Sequence, residues 1–588
     1  MRFSFDGREI PYVDGQTVAA ALWAAGVRSW RTSRERAAPR GLFCGIGACF
    51  DCLSTVDGQP NRRACLVPAT AGMVVTAQSG PGAPAAPGGG PAASTPSGAP
   101  AGRRCDVAVV GAGPAGLAAA ATAAQAGLGV VLLDAAPRAG GQFWRHRAGD
   151  TGAGHRDWAV FAGLRAEVER LVEHWRQTEV WFVEPGFGLH TSTGVVRADR
   201  LVLATGAYDR TLPFPGWDLP GVVTAGGAQA LLKGSGVVVG ERVVVAGAGP
   251  FLLPVAAGLL AAGARVEGVY EAGDPRGYLG HGRPALASLA GKLPEAARYA
   301  RVLARHRVPY HTRHTVVAAR GEGSLSEVEV ARVDQAGRVV PDSSRRIACD
   351  ALAVGWGFTP SLELPLALGC ATWVGHDGSL VVAVDPAGRT SVPDVYAAGE
   401  VTGVGGAELA VAEGRLAGAA LALSYLRPAP FGAVELTRLL SRRAALRRFA
   451  AAMHAVHAPP AGWPDQLAGD TLVCRCEEVP YSRVVEAVDE LGATDARSVK
   501  LFARPGMGWC QGRVCGFATA ALAARLCGRP VGEGDLAAFA ARPVAWPVTL
   551  GELAGSAGLA GPAGPAAPGG SRRGPALAPL PEPAPEQQ

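Results

Sequence analysis

Val107-Ala-Val-Val-Gly-Ala-Gly-Pro-Ala-Gly116 is the stretch of sequence that decides the fold. Small apolar residues typical of a strand run into Gly-x-Gly-x-x-Gly, and an Ala/Leu-rich helical segment follows. In this context Gly111 permits a tight turn, Gly113 lets a pyrophosphate approach the backbone, and Gly116 lets helix and strand pack closely. Asp134 closes the next apolar strand, where a carboxylate can accept from ribose hydroxyls. The stretch therefore predicts the first βαβ unit of a dinucleotide-binding domain.

Three later segments indicate FAD rather than NAD as its nucleotide: Gly140-Gly141-Gln142, Leu201-Val-Leu-Ala-Thr-Gly206, and Val395-Tyr-Ala-Ala-Gly-Glu400 followed by a glycine turn at Gly405–Leu409. Together they resemble the flavoprotein family with two dinucleotide-binding domains that includes the pyridine nucleotide–disulfide oxidoreductases. The resemblance implies that Glu400, where the family usually has Asp, meets the ribityl chain, and that the next helix N-terminus faces the flavin. The FAD contacts predicted in this way are Gly111, Gly113, Pro114, Ala115, Gly116, Asp134, Gly141, Gln142, Thr205, Gly206, Gly399 and Glu400.

A second fingerprint, Gly247-Ala-Gly-Pro-Phe-Leu252, follows another apolar strand. Gly247 and Gly249 match the first two glycines, and Glu271 closes the next strand, where it is placed to hold a ribose. Leu252 replaces the third glycine, and Pro254 lies within the first helical turns. Both a working NAD(P) site and a relic of one fit these residues. We expect weak or non-catalytic binding, with NAD(H) preferred over NADP(H).

Four cysteines near the N-terminus have the spacing of plant-type [2Fe–2S] ferredoxins, with Cys44, Cys49 and Cys52 in Cys-x4-Cys-x2-Cys and Cys65 farther on. Glycines between the first two cysteines let the backbone wrap closely round a cluster. A structural zinc site is the alternative, although zinc ribbons favour two Cys-x2-Cys pairs and this set has one. We predict a [2Fe–2S] cluster.

A second set of four cysteines lies near the C-terminus as Cys474-x-Cys476 and Cys510-x4-Cys515. With Gly506-Met-Gly508 beside it, the set resembles the bacterioferritin-associated-ferredoxin-like [2Fe–2S] module, and zinc is again the alternative. The remaining cysteines are expected to be buried thiols; they are Cys105, Cys349, Cys370 and Cys527. No Cys-x4-Cys or Cys-x2-Cys occurs between Gly111 and Glu400, so the flavin must exchange electrons with another centre. Clusters at both ends and a flavin in the middle indicate an internal electron path.

The segment Tyr208–Ala225, with Asp-Arg-Thr-Leu-Pro-Phe-Pro-Gly-Trp-Asp, resembles the α-type FAD/iron–sulfur subunits of amine- and amino-acid-oxidising complexes. This group includes subunits of sarcosine oxidase (its α chain), hydrogen cyanide synthase, opine oxidase and D-hydroxyproline dehydrogenase. The resemblance covers residues 1–80 and 104–553, with the small ferredoxin-like subunit fused at the N-terminus. It implies a partner flavoprotein that oxidises a sarcosine, proline, opine or glycine type of substrate.

Length and composition fit several domains in one chain. The 588 residues are 48% apolar, with a net charge of only +6 and no dense Lys/Arg block, so we expect no nucleic-acid site. Two uncharged stretches, Val107–Leu133 and Val243–Ala264, contain a strand, a turn and a helix, so we predict no transmembrane span. Asp6, Arg8 and Glu9 interrupt any apolar leader, and twelve cysteines in a long chain fit a reducing cytoplasm.

The predicted fold is α/β, with two Rossmann-like domains between a β-grasp ferredoxin domain and a small α-rich cluster domain. The predicted divisions are a ferredoxin-like domain at 1–79, a linker at 80–103, an FAD domain at 104–221 and 322–426, an NAD(P)-like domain at 222–321, a helical segment with the second cluster domain at 427–553, and a disordered tail at 554–588. A self-sufficient NAD(P)H-dependent reductase is the alternative to the electron-transfer subunit, and a cluster-binding scaffold is a third. Catalytic residues are not identified; the histidines considered as a base are His281, His306 and His311.

Overall fold

The computed structural model describes residues 1–79, 102–281, 292–550 and residue 553. The N-terminal module begins with a hairpin, in which Asp6 and Gly7 both have positive φ as a tight two-residue turn requires. Its main sheet runs in the order Arg8–Pro11, Arg2–Phe5, Val74–Thr76, Leu53–Val56 and Gln59–Arg63, with helix Val18–Ala24 capped by Thr17. A small sheet joins Pro39–Arg40, Arg31–Thr32 and Gln78–Ser79.

The first dinucleotide sheet is mostly parallel. Its strands lie in the order Glu173–Trp175, Val130–Leu133, Arg103–Val110, Gly194–Leu203, Gly188–Thr191 and Val180–Glu184, and Val395–Ala397 also pairs with Gly194–Leu203. Helices Pro114–Gln125 and Trp158–Leu171 belong to this half, and Ala407–Ser424 packs on Pro114–Gln125. A Cβ at Gly414 would lie 2.2 Å from the Ala115 carbonyl oxygen, so this close helix pair requires glycine.

The second dinucleotide sheet is parallel throughout, in the order Val222–Thr224, Ala351–Gly355, Arg242–Gly247, Arg265–Glu271 and Tyr310–Thr312. Its helices within the described residues are Ala225–Ser235, Leu252–Ala261 and Leu293–Arg305, with a 3-10 turn at Pro275–His281. An antiparallel sheet of His314–Arg320, Glu327–Arg332 and Arg345–Ala348 precedes the strand Ala351–Gly355.

The predicted return to the FAD domain at residue 322 is therefore wrong. Ala351–Gly355 pairs with Arg242–Gly247 in the second sheet, so the chain leaves that domain only afterwards. The chain crosses between the two dinucleotide-binding domains twice. The two crossing segments, Ala207–Asp209 and Phe358–Pro360, pair with each other as antiparallel strands. A short apolar strand has the same sequence pattern in either sheet, so only its observed pairing shows to which sheet it belongs.

Beyond the second crossing come helix Glu363–Ala367, the hairpin Thr372–Val374 and Leu380–Val382, and the 3-10 turn Glu400–Thr402. Helix Ala433–Val456, here called the connecting helix, confirms the predicted helical stretch and leads to a 3-10 turn at Trp463–Gln466. In its described residues the C-terminal module has the strand pair Leu472–Cys474 and Val479–Pro480 and the helices Tyr481–Asp489, Ala496–Ala503, Gly516–Leu526 and Glu533–Ala540.

Residues Met1–Pro547 form one contact unit and Val548–Gln588 another. The predicted tail, and the predicted linker up to residue 101, lie outside the described residues. None of the helices in the described part of the chain has the length and apolar composition needed to span a bilayer. Both uncharged stretches are strand–turn–helix segments of the two sheets, as predicted.

Candidate functional site

The first fingerprint has room for a ligand at one glycine only. A Cβ at Gly111 would lie 2.3 Å from the Ala204 carbonyl oxygen, and one at Gly116 would lie 1.7 Å from the Gly111 carbonyl oxygen. Gly113 has an ordinary extended backbone, and a Cβ there would meet only the Gly141 Cα, at 3.9 Å. Gly111 and Gly116 therefore serve the packing, whereas Gly113 borders open space at a helix N-terminus.

That helix N-terminus suits an anion. Pro114 occupies its first position, Ala115 follows, and no side chain caps the helix. Its first free N–H groups therefore point toward the open space. Gly141 has a φ of +58°, and a Cβ there would lie 2.9 Å from the Gly113 Cα. The Gly141 turn thus lies directly against the fingerprint, where neighbouring Gln142 accepts from Arg145 at 3.2 Å.

Asp134 is at the predicted ribose position but also braces the loop. Its two carboxylate oxygens accept from the backbone N–H groups of Ala112 and Ala136, each at 2.7 Å. Burial raises the pKa of Asp134 to about 6, although these N–H donors oppose the rise. The carboxylate has further lone pairs with which a ribose hydroxyl can bond.

The other predicted flavin residues meet where two strands end. The Thr205 hydroxyl donates to the Ser361 carbonyl at 2.8 Å, and the Ser361 N–H donates to Gly206 at 3.0 Å. A Cβ at Gly399 would lie 2.8 Å from the Ala115 Cβ, so Gly399 faces the first fingerprint helix. Glu400 accepts from the N–H of Gly406 at 2.8 Å, and burial raises its pKa to about 6. Glu400 thus holds the turn before the next helix, a role that the sequence does not indicate.

Glu413 is a functional candidate that the sequence analysis missed. It is buried, and one carboxylate oxygen accepts from the Gly399 N–H at 3.1 Å and from the Thr402 hydroxyl at 3.0 Å. Its other oxygen accepts from Arg443 at 3.1 Å and Arg447 at 2.6 Å, on the connecting helix. The sequence carries no clear signal for it, because helix Ala407–Ser424 also contains Glu408 and Arg415. Glu413 supports the strand end that carries Gly399.

The second fingerprint differs from the first in its helix and its acid. Its helix starts at Leu252, the sixth fingerprint residue, whereas the first helix starts at the fourth, and Leu252 is buried. Gly247 still packs tightly, since a Cβ there would lie 1.7 Å from the Gly355 carbonyl oxygen. Glu271 is fully buried and accepts from the N–H groups of Gly249 at 3.0 Å and Gly273 at 2.8 Å.

The end of the connecting helix covers Glu271. His457 Nδ1 lies 3.3 Å from a Glu271 carboxylate oxygen, and a Cβ at Gly273 would lie 2.8 Å from the Val456 carbonyl oxygen. Phe449 stacks on Tyr278 with ring centroids 6.3 Å apart. The predicted ribose acid therefore faces this chain's own helix end.

The four N-terminal cysteines are all buried, three of them in the loop before strand Leu53–Val56 and the fourth just after strand Gln59–Arg63. The Cys49 N–H donates to the Cys44 sulfur at 3.4 Å, and the Asp51 N–H donates to the Cys49 sulfur at 3.5 Å. Burial opposes ionisation of Cys44, but hydrogen bonds from Cys49 and from backbone N–H groups lower its pKa to about 7. Together with Cys52 and Cys65, these thiols form a donor set suited to iron, which binds thiolates.

The C-terminal cysteines also converge. The Cys476 sulfur lies 3.7 Å from those of Cys474 and Cys510, too far for disulfides and close enough to share a centre. Hydrogen bonds from Cys476 and Cys515 hold the pKa of Cys474 well below its usual range. A Cβ at Gly508 would lie 2.6 Å from the Cys476 sulfur, so only glycine allows this loop to lie so close to the cysteine.

The remaining cysteines and the candidate bases lie apart from these sets. Cys349 and Cys370 are buried as expected, whereas Cys105 and Cys527 are partly exposed, because a strand start and a helix end leave one side open. Burial raises the pKa of both Cys105 and Cys349 to about 12, which disfavours thiolate chemistry.

His306 is exposed beyond a helix end, and His311 stacks on Tyr270 with ring centroids 5.1 Å apart. The side chain of His281 lies outside the described residues. The contacts of His311 and the exposed position of His306 do not place these two at the first fingerprint, and a catalytic base among the three stays a prediction.

Comparisons with known proteins assign each part of the chain. Residues 105–415 match the pyridine nucleotide-disulphide oxidoreductase family. Residues 1–80 match the 2Fe-2S iron-sulfur cluster binding domain, and residues 472–525 match the BFD-like [2Fe-2S] binding domain. Both cysteine sets therefore fall in [2Fe–2S] domains, which decides between iron–sulfur and zinc.

Similar proteins cover most of the chain. The HcnB subunit of hydrogen cyanide synthase from Pseudomonas aeruginosa is 35% identical, over 69% of this chain and 90% of its own length. The opine oxidase A protein of Rhizobium meliloti, also a subunit, is 34% identical, over 76% and 98% respectively. The sarcosine oxidase alpha subunit of a Corynebacterium species is 30% identical over 71% of this chain but 43% of its own length.

One solved structure has the same fold along nearly the whole chain. L-proline dehydrogenase from P. horikoshii superposes with a TM-score of 0.69 at 22% identity, covering 94% of this chain and 97% of that one. The chain belongs to the pyridine nucleotide-disulphide oxidoreductase family, as an FAD-dependent oxidoreductase with a [2Fe–2S] domain on either side of its two dinucleotide-binding domains.

Proposed function

We propose that this chain is the flavin and iron–sulfur electron-transfer subunit of a heteromeric amine or amino-acid dehydrogenase. The observation that carries the proposal is the presence of one flavin domain and two four-cysteine sets, with seven of the eight cysteines buried, in a single chain. The similar proteins support it, because hydrogen cyanide synthase HcnB, opine oxidase A and sarcosine oxidase alpha are all named as subunits.

A partner flavoprotein would oxidise the C–N bond. Conversion of CH–NH to C=N removes two electrons and two protons from the substrate, and one-electron centres can take the electrons away singly. The residues of this chain would bind and insulate these centres: Gly113 and Pro114 border the open space that a pyrophosphate would occupy, Asp134 and Glu400 brace its loops, and seven of the eight cysteines are buried. FAD, when bound, supplies the step between two-electron and one-electron transfer.

The isolated chain is expected to oxidise amines poorly. Because the residues that surround the flavin loops are engaged in bracing them, we assign substrate chemistry to the partner. The test compares the chain alone with its native complex, using sarcosine, proline, hydroxyproline, glycine, opines and D-amino acids with an artificial electron acceptor. Comparable rates for the chain alone and for the complex would show that the chemistry resides here.

The second nucleotide site favours this reading over a self-sufficient reductase. Glu271 is fully buried against His457 at the end of the connecting helix, so a ribose would have to displace this chain's own helix end. The fingerprint helix also begins two residues late, which moves its N-terminus away from the turn.

Under anaerobic conditions NADH is therefore expected to leave the flavin oxidised. NADPH is expected to bind still more weakly than NADH, because Glu271 would repel its 2′-phosphate. The measurement is the flavin absorbance during titration with each nucleotide, with dithionite as the control that bleaches the same sample. Rapid stoichiometric bleaching by NADH would instead support the reductase alternative.

A further inference from the structure

The loops that carry the two cysteine sets contact each other directly. Asp51 lies between Cys49 and Cys52, and Arg475 lies between Cys474 and Cys476. The Asp51 carboxylate accepts from Arg475 Nε and lies within 2.7 Å of both Nε and Nη2. An ion pair between residues 424 positions apart thus joins two loops at points adjacent to their sulfur donors.

Aromatic rings surround this ion pair. The Arg475 guanidinium lies 4.1 Å from the ring centroid of Phe43 and 5.0 Å from that of Trp217, and it donates to the Trp217 carbonyl at 2.8 Å. Beside it, Phe50 stacks on Trp509 with centroids 6.3 Å apart and planes 21° apart. Phe50 directly follows Cys49, and Trp509 directly precedes Cys510. A second contact therefore joins the same two loops.

Burial of the two charged groups strengthens this contact between the loops. Asp51 and Arg475 are 2% and 5% exposed, and a buried charge that loses its partner is strongly destabilising. Ser33 adds a bond at the edge, since its hydroxyl donates to Glu478 at 2.6 Å. Paired charges, stacked rings and this edge bond leave the two loops little freedom to move apart.

We propose that the two [2Fe–2S] centres exchange electrons directly with each other across the Asp51–Arg475 and Phe50–Trp509 contacts, with Asp51 and Arg475 as positioning residues. In this step one iron of the reduced centre passes from Fe²⁺ to Fe³⁺ while one iron of the other passes from Fe³⁺ to Fe²⁺. No bond forms or breaks and no proton moves. The two centres then act as neighbours and not as opposite ends of a path through the flavin. The inference rests on the two clusters and is independent of the amine-oxidising role.

The test is electron paramagnetic resonance of the fully reduced chain. Cys65→Ser and Cys515→Ser each remove one cluster with a ligand that does not flank the contact, and so provide the two single-cluster spectra. The wild-type spectrum is expected to be broadened or split, with faster spin relaxation, relative to the sum of those spectra. A wild-type spectrum equal to the sum, with unchanged relaxation, would overturn the proposal.

The role of the ion pair is tested with Asp51→Asn, which should weaken the splitting and slow equilibration of one added electron between the clusters. Asp535→Asn is the matched control, because Asp535 is another buried carboxylate paired with an arginine, Arg529, but lies away from the contact. If Asp51→Asn protein does not retain both clusters, Ser33→Ala tests the same interface farther from the ligands. Undiminished splitting in either variant with both clusters present would overturn the role assigned to these contacts.

Discussion

Gly113→Val protein is expected to purify folded but with its flavin content reduced by at least about tenfold, the factor that corresponds to a loss of about 1.4 kcal/mol in binding. The reason is geometric. The extended backbone of Gly113 accepts any side chain, and a Cβ there meets only the Gly141 Cα, at 3.9 Å. The added methyl groups would occupy the open space at the helix N-terminus, where the FAD pyrophosphate approaches the backbone.

Gly432→Val is the matched control for this variant. Gly432 also precedes a helix in an extended conformation, with a φ of −75° as at Gly113, and a Cβ there meets nothing within 4 Å. Both variants should keep the wild-type circular dichroism spectrum, and only Gly113→Val should lose the flavin absorbance. Normal flavin content in the Gly113→Val protein would place the pyrophosphate elsewhere.

Cys49→Ser is expected to abolish the N-terminal cluster and Cys510→Ser the C-terminal one. Each should lower iron and labile sulfide from about four to about two per chain, since each binuclear cluster contributes two of each. Both cysteines are almost fully buried among apolar and aromatic side chains, so no solvent ligand is at hand to replace the sulfur.

Cys370→Ser is the control for these two variants. Cys370 is buried too, but its thiol pairs with Thr390 and belongs to neither set. Metal analysis after anaerobic purification should give wild-type iron for this control and half of it for the two ligand variants. Full iron in Cys49→Ser or Cys510→Ser protein, or zinc in place of iron, would contradict the cluster assignments made to these residues.

Much of this protein follows from local patterns in its sequence. The strand, turn and helix around Gly111–Gly116 fold as the spacing indicates, because glycine is required wherever a Cβ would strike a neighbouring carbonyl. Within each cysteine set the short spacings bring neighbouring thiols together, as for Cys44 with Cys49 and Cys474 with Cys476. The cofactor classes could therefore be predicted before any tertiary contact was known.

Only the tertiary structure decided how these parts meet. Ala351–Gly355 joins the second sheet, Glu271 faces His457, and Asp51 pairs with Arg475 across 424 positions. Such contacts depend on how whole modules pack, and the free energy of each pair depends on burial that no local pattern contains. Glu413 illustrates the same limit, since its partners Arg443 and Arg447 lie 30 and 34 positions away on another helix. The sequence by itself determined which redox centres the chain can hold; the packing of its modules determined which of them are neighbours.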